Sequence, residues 1–172
     1  MQQIIVSGVG GQGVLFVTRL LAEAALELGH SVLISETHGM AQRGGNVISH
    51  LKVGSLDNAS PLIRPGRADV FLGLHVDAFG VHGFYLKPDG KAFCNAVSGP
   101  RLHTTDATGI AMELGAPLSS NLVLLGFASA SGFLFCTPER LEIQLIRVGG
   151  KHREINLRAL AAGLEAYQKN RV

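Results

Sequence analysis

Apolar positions along the chain change their period several times, and the changes outline the elements. Gln3 to Ser7, QIIVS, is a short β-branched run that stops at Gly8, which predicts a buried strand. Val14 to Leu28, VLFVTRLLAEAALEL, is apolar on most faces. Its charged residues Arg19, Glu23 and Glu27 recur every fourth position, so they share one stripe of a helix facing solvent. Gly29 ends that helix, and Ser31 to Glu36, SVLISE, reads as a second buried strand. Strand, glycine turn, helix and strand make a βαβ unit.

Farther on, NVISHLKV alternates as a strand does, and Val70 to Leu74 with Ala92 to Val97 read as further strands. Pro61, Pro65 and Gly66 interrupt SPLIRPGRAD, which predicts an irregular connection. A helix is expected around Ala78 to Leu86, and KPDGK, Lys87 to Lys91, carries Pro and Gly where a β-turn wants them. The remainder predicts helices over Asp106 to Leu114, Asn121 to Gly132, Thr137 to Arg147 and Ile155 to Lys169, with Pro138 at a first helical position and Asn121 as an N-cap. The element order predicts an α/β fold: three layers, α/β/α, with a Rossmann-like βαβ start, a mostly parallel sheet and a helical C-terminal portion.

With 172 residues, 47% of them hydrophobic and 16% charged, the chain supports one substantial core, so residues 1–172 are expected to form a single domain. A formal charge of +2 without clustered basic residues speaks against nucleic acid or a membrane surface as partner. Two cysteines 42 residues apart are too few for a disulfide framework or a metal cluster, which suggests a reducing, cytoplasmic setting. No signal peptide or membrane span is expected: the N-terminus runs straight into strand-like residues, and Gly, Ser and Ala dilute the longest apolar stretch, Leu122 to Phe135.

Candidate chemistry concentrates in two places. GVGGQG sets Gly8, Gly10 and Gly13 in G-x-G-x-x-G spacing between a strand and a helix, a turn that lets a ligand approach the backbone and offers free amides to an anion. The same glycines serve equally well where a βα turn is only tightly packed. Glu36 lies 23 residues beyond Gly13, about where a dinucleotide fold places its ribose-binding acid. It also opens the densest polar stretch in the chain, SETHGMAQRGGNVISH, Ser35 to His50, which a dinucleotide fingerprint does not account for.

GVGGQGVLFVTRLLAEAALELGH followed by ISETHGMAQRGGNVISHLKVG resembles the gamma-domain family of the 2-oxoacid:ferredoxin oxidoreductases (the pyruvate/ketoisovalerate gamma-type domain), and above all the small (beta) subunit of the indolepyruvate type. Members acting on pyruvate or 2-oxoglutarate tend to carry a loop like YGPEARGG, shared here only at Arg43, Gly44 and Gly45. RADVFLGLHVDAF, KPDGKAFCNA and LGAPLSSNLVLLGFASA extend the resemblance over essentially the whole chain. It implies a non-catalytic small subunit, inactive alone, of an enzyme that oxidatively decarboxylates an aryl pyruvate with coenzyme A to an acyl-CoA and reduces ferredoxin. Thiamine diphosphate, Mg2+ and iron–sulfur clusters are then expected on a large partner subunit in a hetero-oligomer. The chain lacks the Gly-Asp-Gly opening of a thiamine-diphosphate motif and a four-cysteine set.

The resemblance also assigns residues. GVGGQG, with Gln12, and HGMAQRGG would meet at the C-terminal edge of the sheet and complete the active site or the coenzyme A region on the partner. Arg43 would pair with a carboxylate or phosphate, His38 and Gln42 would make polar contacts across the subunit junction, Gly44 and Gly45 would permit close backbone approach, and Asn46 belongs to the same ligand or interface loop. Glu36 would hold Arg43 or the loop. Alternatives stand beside these roles: an Arg43–Glu36 ion pair within the domain, His38 as a loop hydrogen-bonder, Met40 as packing. His50, His75, His82 and His103 read as structural, and Asn121 keeps a possible site role besides capping. A mean hydropathy of +0.28 indicates apolar surface left for a partner. Competing functions are the gamma subunit of a pyruvate, branched-chain or 2-oxoglutarate enzyme, a free-standing dinucleotide-binding module, and a binding or regulatory protein without a large subunit.

Overall fold

The alternating NVISHLKV segment turns out to be buried on both faces, because it forms an inner strand of a six-stranded sheet ordered β2-β3-β1-β4-β5-β6. A computed structural model describes residues 1–38, 45–55, 60–99, 102–148 and 150–170, with His38 described through its backbone alone. The strands are β1 (Gln2–Val9), β2 (Val32–His38), β3 (Asn46–Val53), β4 (Ala68–Gly73), β5 (Leu86–Asn95) and β6 (His103–Thr105). The helices are α1 (Val14–Glu27), α2 (Ala78–His82), α3 (Ala107–Glu113), α4 (Ser120–Ala130), α5 (Pro138–Val148) and α6 (Arg153–Lys169). Parallel pairing links β1, β4, β5 and β6, while β3 runs antiparallel to both β1 and β2.

Strand alternation divides the sheet between two cores. Ile4, Val6, Leu51, Val70, Leu72 and Phe93 point to one side, where they pack with α1, α3, α4, α5 and α6. Val6 is in register with Leu72, and Leu72 with Phe93, so one apolar row crosses three strands. Ile5, Ile48, Phe71, Ala92 and Cys94 face a thinner layer made by α2, Ile63 and Tyr85. The three-layer α/β expectation holds, with most of the helical mass on one face.

The largest helix contact on that face joins α4 to α6. A Cβ on Gly163 would run into the carbonyl oxygen of Val123 and come 2.8 Å from the amide nitrogen of Phe127; one on Gly126 would run into the carbonyl of Leu160. The two helices therefore cross backbone to backbone, each needing glycine where it meets the other.

Five expectations need correction. The strand expected to be buried over Ser31 to Glu36 is the edge strand β2, none of whose described side chains is fully buried, because only β3 pairs with it. KPDGK is not a turn between elements: β5 runs through it, and the two steps from Ala68 to Val70 on β4 are matched by five from Leu86 to Lys91, so the turn residues form a bulge of three extra positions. Lys87 Nζ there meets Asp69 at 2.7 Å. The helix expected to Leu86 stops at His82 and tightens into a 3-10 turn, Gly83–Tyr85, across the glycine. Glu27 does not simply face solvent with Arg19 and Glu23, which pair at 2.8 Å; it is taken by Arg147 at 2.5 Å and by Gln144, both on α5. Asn121 lies inside α4, whose N-cap is Ser119. The three-residue strand β6 was not foreseen.

Candidate functional site

The glycine turn leaves β1 after Val9 and enters α1 through Gly13, which caps the helix in the left-handed conformation at φ +78° with no side-chain cap. Gly11 is left-handed too, at φ +95°, a position that the G-x-G-x-x-G pattern does not name. Gln12 folds back: its amide donates to the Val9 carbonyl at 3.2 Å, while its Oε1 accepts from the Val9 amide at 3.0 Å. That return explains Gly8, where a Cβ would meet Gln12 Oε1 at 2.8 Å and Leu74 Cβ at 3.1 Å.

Antiparallel pairing brings the polar loop to this turn. Asn46, the first residue of β3, pairs with Val9, and the amide of Gly10 donates to the Gly45 carbonyl at 2.9 Å. Gly8, Gly10, Gln12, Gly13, Gly45 and Asn46 therefore gather at one sheet edge. Gln42, Arg43, Gly44 and Met40 fall outside the described residues, as does the side chain of His38, the last residue of β2.

Glu36 does not join them. It is exposed on β2, in register with Ser49, which is in register with Val6. In a dinucleotide-binding βαβ unit the acid ends the strand next to the first; here β3 lies between, placing Glu36 two strand spacings, about 10 Å, from β1. The geometry disfavours a ribose contact by this residue.

Beside the turn lies a cavity of about 470 Å³, reached by Gly11, Gln12 and Gly13. Phe16, Leu118, Leu122 and Ile155 supply its apolar walls, and Ser119, Asn121, His152 and Asn156 its polar groups. Among the described residues no carboxylate, lysine or arginine lines it. Ser119 Oγ donates to Asn156 Oδ1 at 3.1 Å, joining the start of α4 to α6, and Asn121 Nδ2 donates to the Gln12 carbonyl at 3.1 Å, joining α4 to the turn. The sequence reads Asn121 as a cap and leaves a site role open; the structure replaces the cap with this bond to the turn.

Other titratable groups lie elsewhere. On the thin face, Ser7 Oγ and His82 Nδ1 are 2.8 Å apart, and His50 Nδ1 accepts the Ile63 amide at 3.2 Å. Burial holds both histidines below the usual imidazole range, with the charge of His82 and then that of Lys52 adding to the effect on His50. Burial likewise pushes the thiols of Cys94 and Cys136 up to about 12. Cys94 belongs to the thin-face core and Cys136 to the other, so the two cannot ligate one iron–sulfur cluster. Among the described residues no group of three or more His, Cys, Asp or Glu could hold a metal ion, and no helix is long and apolar enough to cross a membrane.

Residues 3–166 match the pyruvate ferredoxin/flavodoxin oxidoreductase family. The chain belongs to this family. Indolepyruvate oxidoreductase subunit IorB of Thermococcus kodakarensis is 33% identical, the alignment covering 95% of this chain and 94% of that protein. 2-Oxoglutarate synthase subunit KorC of Archaeoglobus fulgidus is 30% identical over 94% of this chain and 86% of its own length. Among solved structures, pyruvate oxidoreductase subunit PORC of Thermotoga maritima superposes with a TM-score of 0.77 at 23% identity, covering 96% of each chain. The family fold also occurs as part of a longer chain: the 2-oxoglutarate:ferredoxin oxidoreductase of Magnetococcus marinus matches 99% of this chain with 30% of its own (TM-score 0.69, 20% identity).

Proposed function

We propose that this family member is the small, non-catalytic subunit of a 2-oxoacid:ferredoxin oxidoreductase of the indolepyruvate type. The observation that carries the reading is the end-to-end correspondence with IorB proteins, 95% of this chain against 94% of the relative, together with the HGMAQRGG loop. In this reading a large partner subunit holds thiamine diphosphate, Mg2+ and the iron–sulfur clusters, which supply decarboxylation and electron transfer to ferredoxin, and coenzyme A takes the acyl group. The complex works in the cytoplasm.

This chain's residues contribute a rim to that site. The turn through Gly10, Gln12 and Gly13 and the loop through His38, Gln42, Arg43, Gly44 and Gly45 form one edge; Arg43 pairs with a carboxylate or phosphate, while His38 and Gln42 make polar contacts across the junction. Glu36 steadies the loop. A partner at this edge is supported by Leu118, which is 89% exposed at the cavity lip; that the same fold is one part of a longer chain in the Magnetococcus protein supports a partner without saying where it sits.

A pull-down with the tagged chain from native extract, followed by 2-oxoacid oxidation assays on what co-purifies, tests the reading. A large, cysteine-rich, thiamine-binding partner with turnover highest on indolepyruvate or phenylpyruvate is expected. Turnover highest on 2-oxoglutarate or pyruvate would move the chain to the KorC or PorC kind, and a chain that purifies alone would sink the subunit reading.

A further inference from the structure

Asn121 stands at the junction of the cavity, the glycine turn and α4, and its bonds are directional. Its Oδ1 accepts the backbone N–H of Leu122 at 2.8 Å, which turns Nδ2 toward the Gln12 carbonyl at 3.1 Å. Reversing the amide would set oxygen against oxygen and N–H against N–H, so one orientation is fixed. The residue is 7% exposed, and a Cβ added to Gly13 would collide with Nδ2. The side chain fills the room that the glycine leaves.

We propose that Asn121 is the positioning residue of the glycine turn, drawing the Gln12 carbonyl toward α4 and thereby fixing where the first turn of α1 meets the cavity. Gln12 braces the turn from within, through its own Oε1 and the Val9 amide. Asn121 braces it from outside, across 109 residues of sequence. The amides of Val14, Leu15 and Phe16 lack partners inside α1, as at any helix start, so what this brace sets is the direction of donors. Asn121 acts through the turn and need not touch a substrate.

The inference rests on the proposed function, in which this turn borders the active site of the complex. The experiment uses the complex reconstituted with its large subunit, assayed by ferredoxin reduction with indolepyruvate and coenzyme A. No turnover in the parent complex on any 2-oxoacid would overturn the functional reading itself, whereas the variants bear on Asn121 alone.

N121D is the discriminating variant. When protonated, its carboxyl reproduces the amide: one oxygen accepts from Leu122 and the O–H donates to Gln12. When ionised, it sets an anionic oxygen against the Gln12 carbonyl. Burial raises a carboxyl above its ordinary value of about 3.9, so the kcat/KM of N121D relative to the parent should be about tenfold low near pH 8 and recover to within about threefold near pH 5.5. N121A, which cannot donate in either state, should be about tenfold low at both. An N121D to parent ratio that does not change with pH overturns the proposal. If N121D fails to assemble, N121A decides. Intact assembly with reduced kcat/KM, assayed well below the melting transition of the variant, upholds the positioning role; parent-like turnover, or a loss that follows lost assembly, overturns it.

Discussion

The Nδ1 of His50 accepts the backbone N–H of Ile63 at 3.2 Å, tying β3 to the connection that leads into β4. A protonated imidazole has donors on both nitrogens and cannot accept, so the bond is available only to the neutral ring. His50 and His82 both have folded values below 6.5, and burial is the main cause.

The sign of the pH dependence follows. Between the depressed folded values and the ordinary 6.5, the unfolded chain binds protons that the folded chain does not, so stability rises with pH through that window. The melting temperature should therefore be level above about pH 7 and fall on acidification below about 6.5. Gln at position 50 can accept from Ile63 without titrating, so His50→Gln should flatten part of this acid limb. A melting curve for His50→Gln with the parent's full pH dependence would remove His50 from the account.

Replacing Gly163 with Ala should destabilise the fold by about 1–3 kcal/mol, because the methyl meets a backbone carbonyl and only separation of α4 and α6 can relieve it. Helix propensity alone argues the other way, by about 1 kcal/mol in favour of Ala. Denaturant unfolding decides between them. A Gly163→Ala protein as stable as the parent would mean that the helices do not cross so closely.

Two buried serines should respond in opposite ways. Ser49 Oγ has no hydrogen-bond partner among the described residues, so Ser49→Ala removes an uncompensated polar atom and should be neutral or stabilising. Ser7 Oγ is bonded to His82, so Ser7→Ala should cost about 0.5–1.5 kcal/mol. Equal losses in both, measured by chemical denaturation, would contradict this difference.

If Arg43 makes the anion contact proposed for it, Arg43→Ala should leave the fold and the assembly of the proposed complex intact while lowering kcat/KM about tenfold. Steady-state kinetics on the reconstituted complex checks this. Parent-like turnover would remove Arg43 from the proposed site.

Elements whose cues are local were legible in the sequence. The β-branched run at Ile4 to Val6, the helix from Val14, Asp106 accepting from the Gly109 amide at 2.8 Å to start α3, and Pro138 opening α5 all follow from a few neighbouring residues. What escaped depends on partners distant in the chain. Pro88, Asp89 and Gly90 have turn chemistry, yet β4 pairs on either side of them and absorbs them as a bulge. The three residues of β6 have too little pattern to read alone and exist because β5 pairs with them. In the site, GVGGQG announced itself, but the brace by Asn121 and the strand between Glu36 and β1 are tertiary facts.

The antiparallel run of β3 bears on what the connection before it can tolerate. Its register with β1 is fixed from Asn46 to Val53, and with β2 from Val47 to Val53, so the connection entering it is anchored on both flanks by backbone pairing that ignores side-chain identity. A change of side chain in that connection therefore leaves both strand pairs as they are. If the connection has the role proposed for it, its side chains are free to answer to a ligand or a partner, while the strands that carry it answer only to packing.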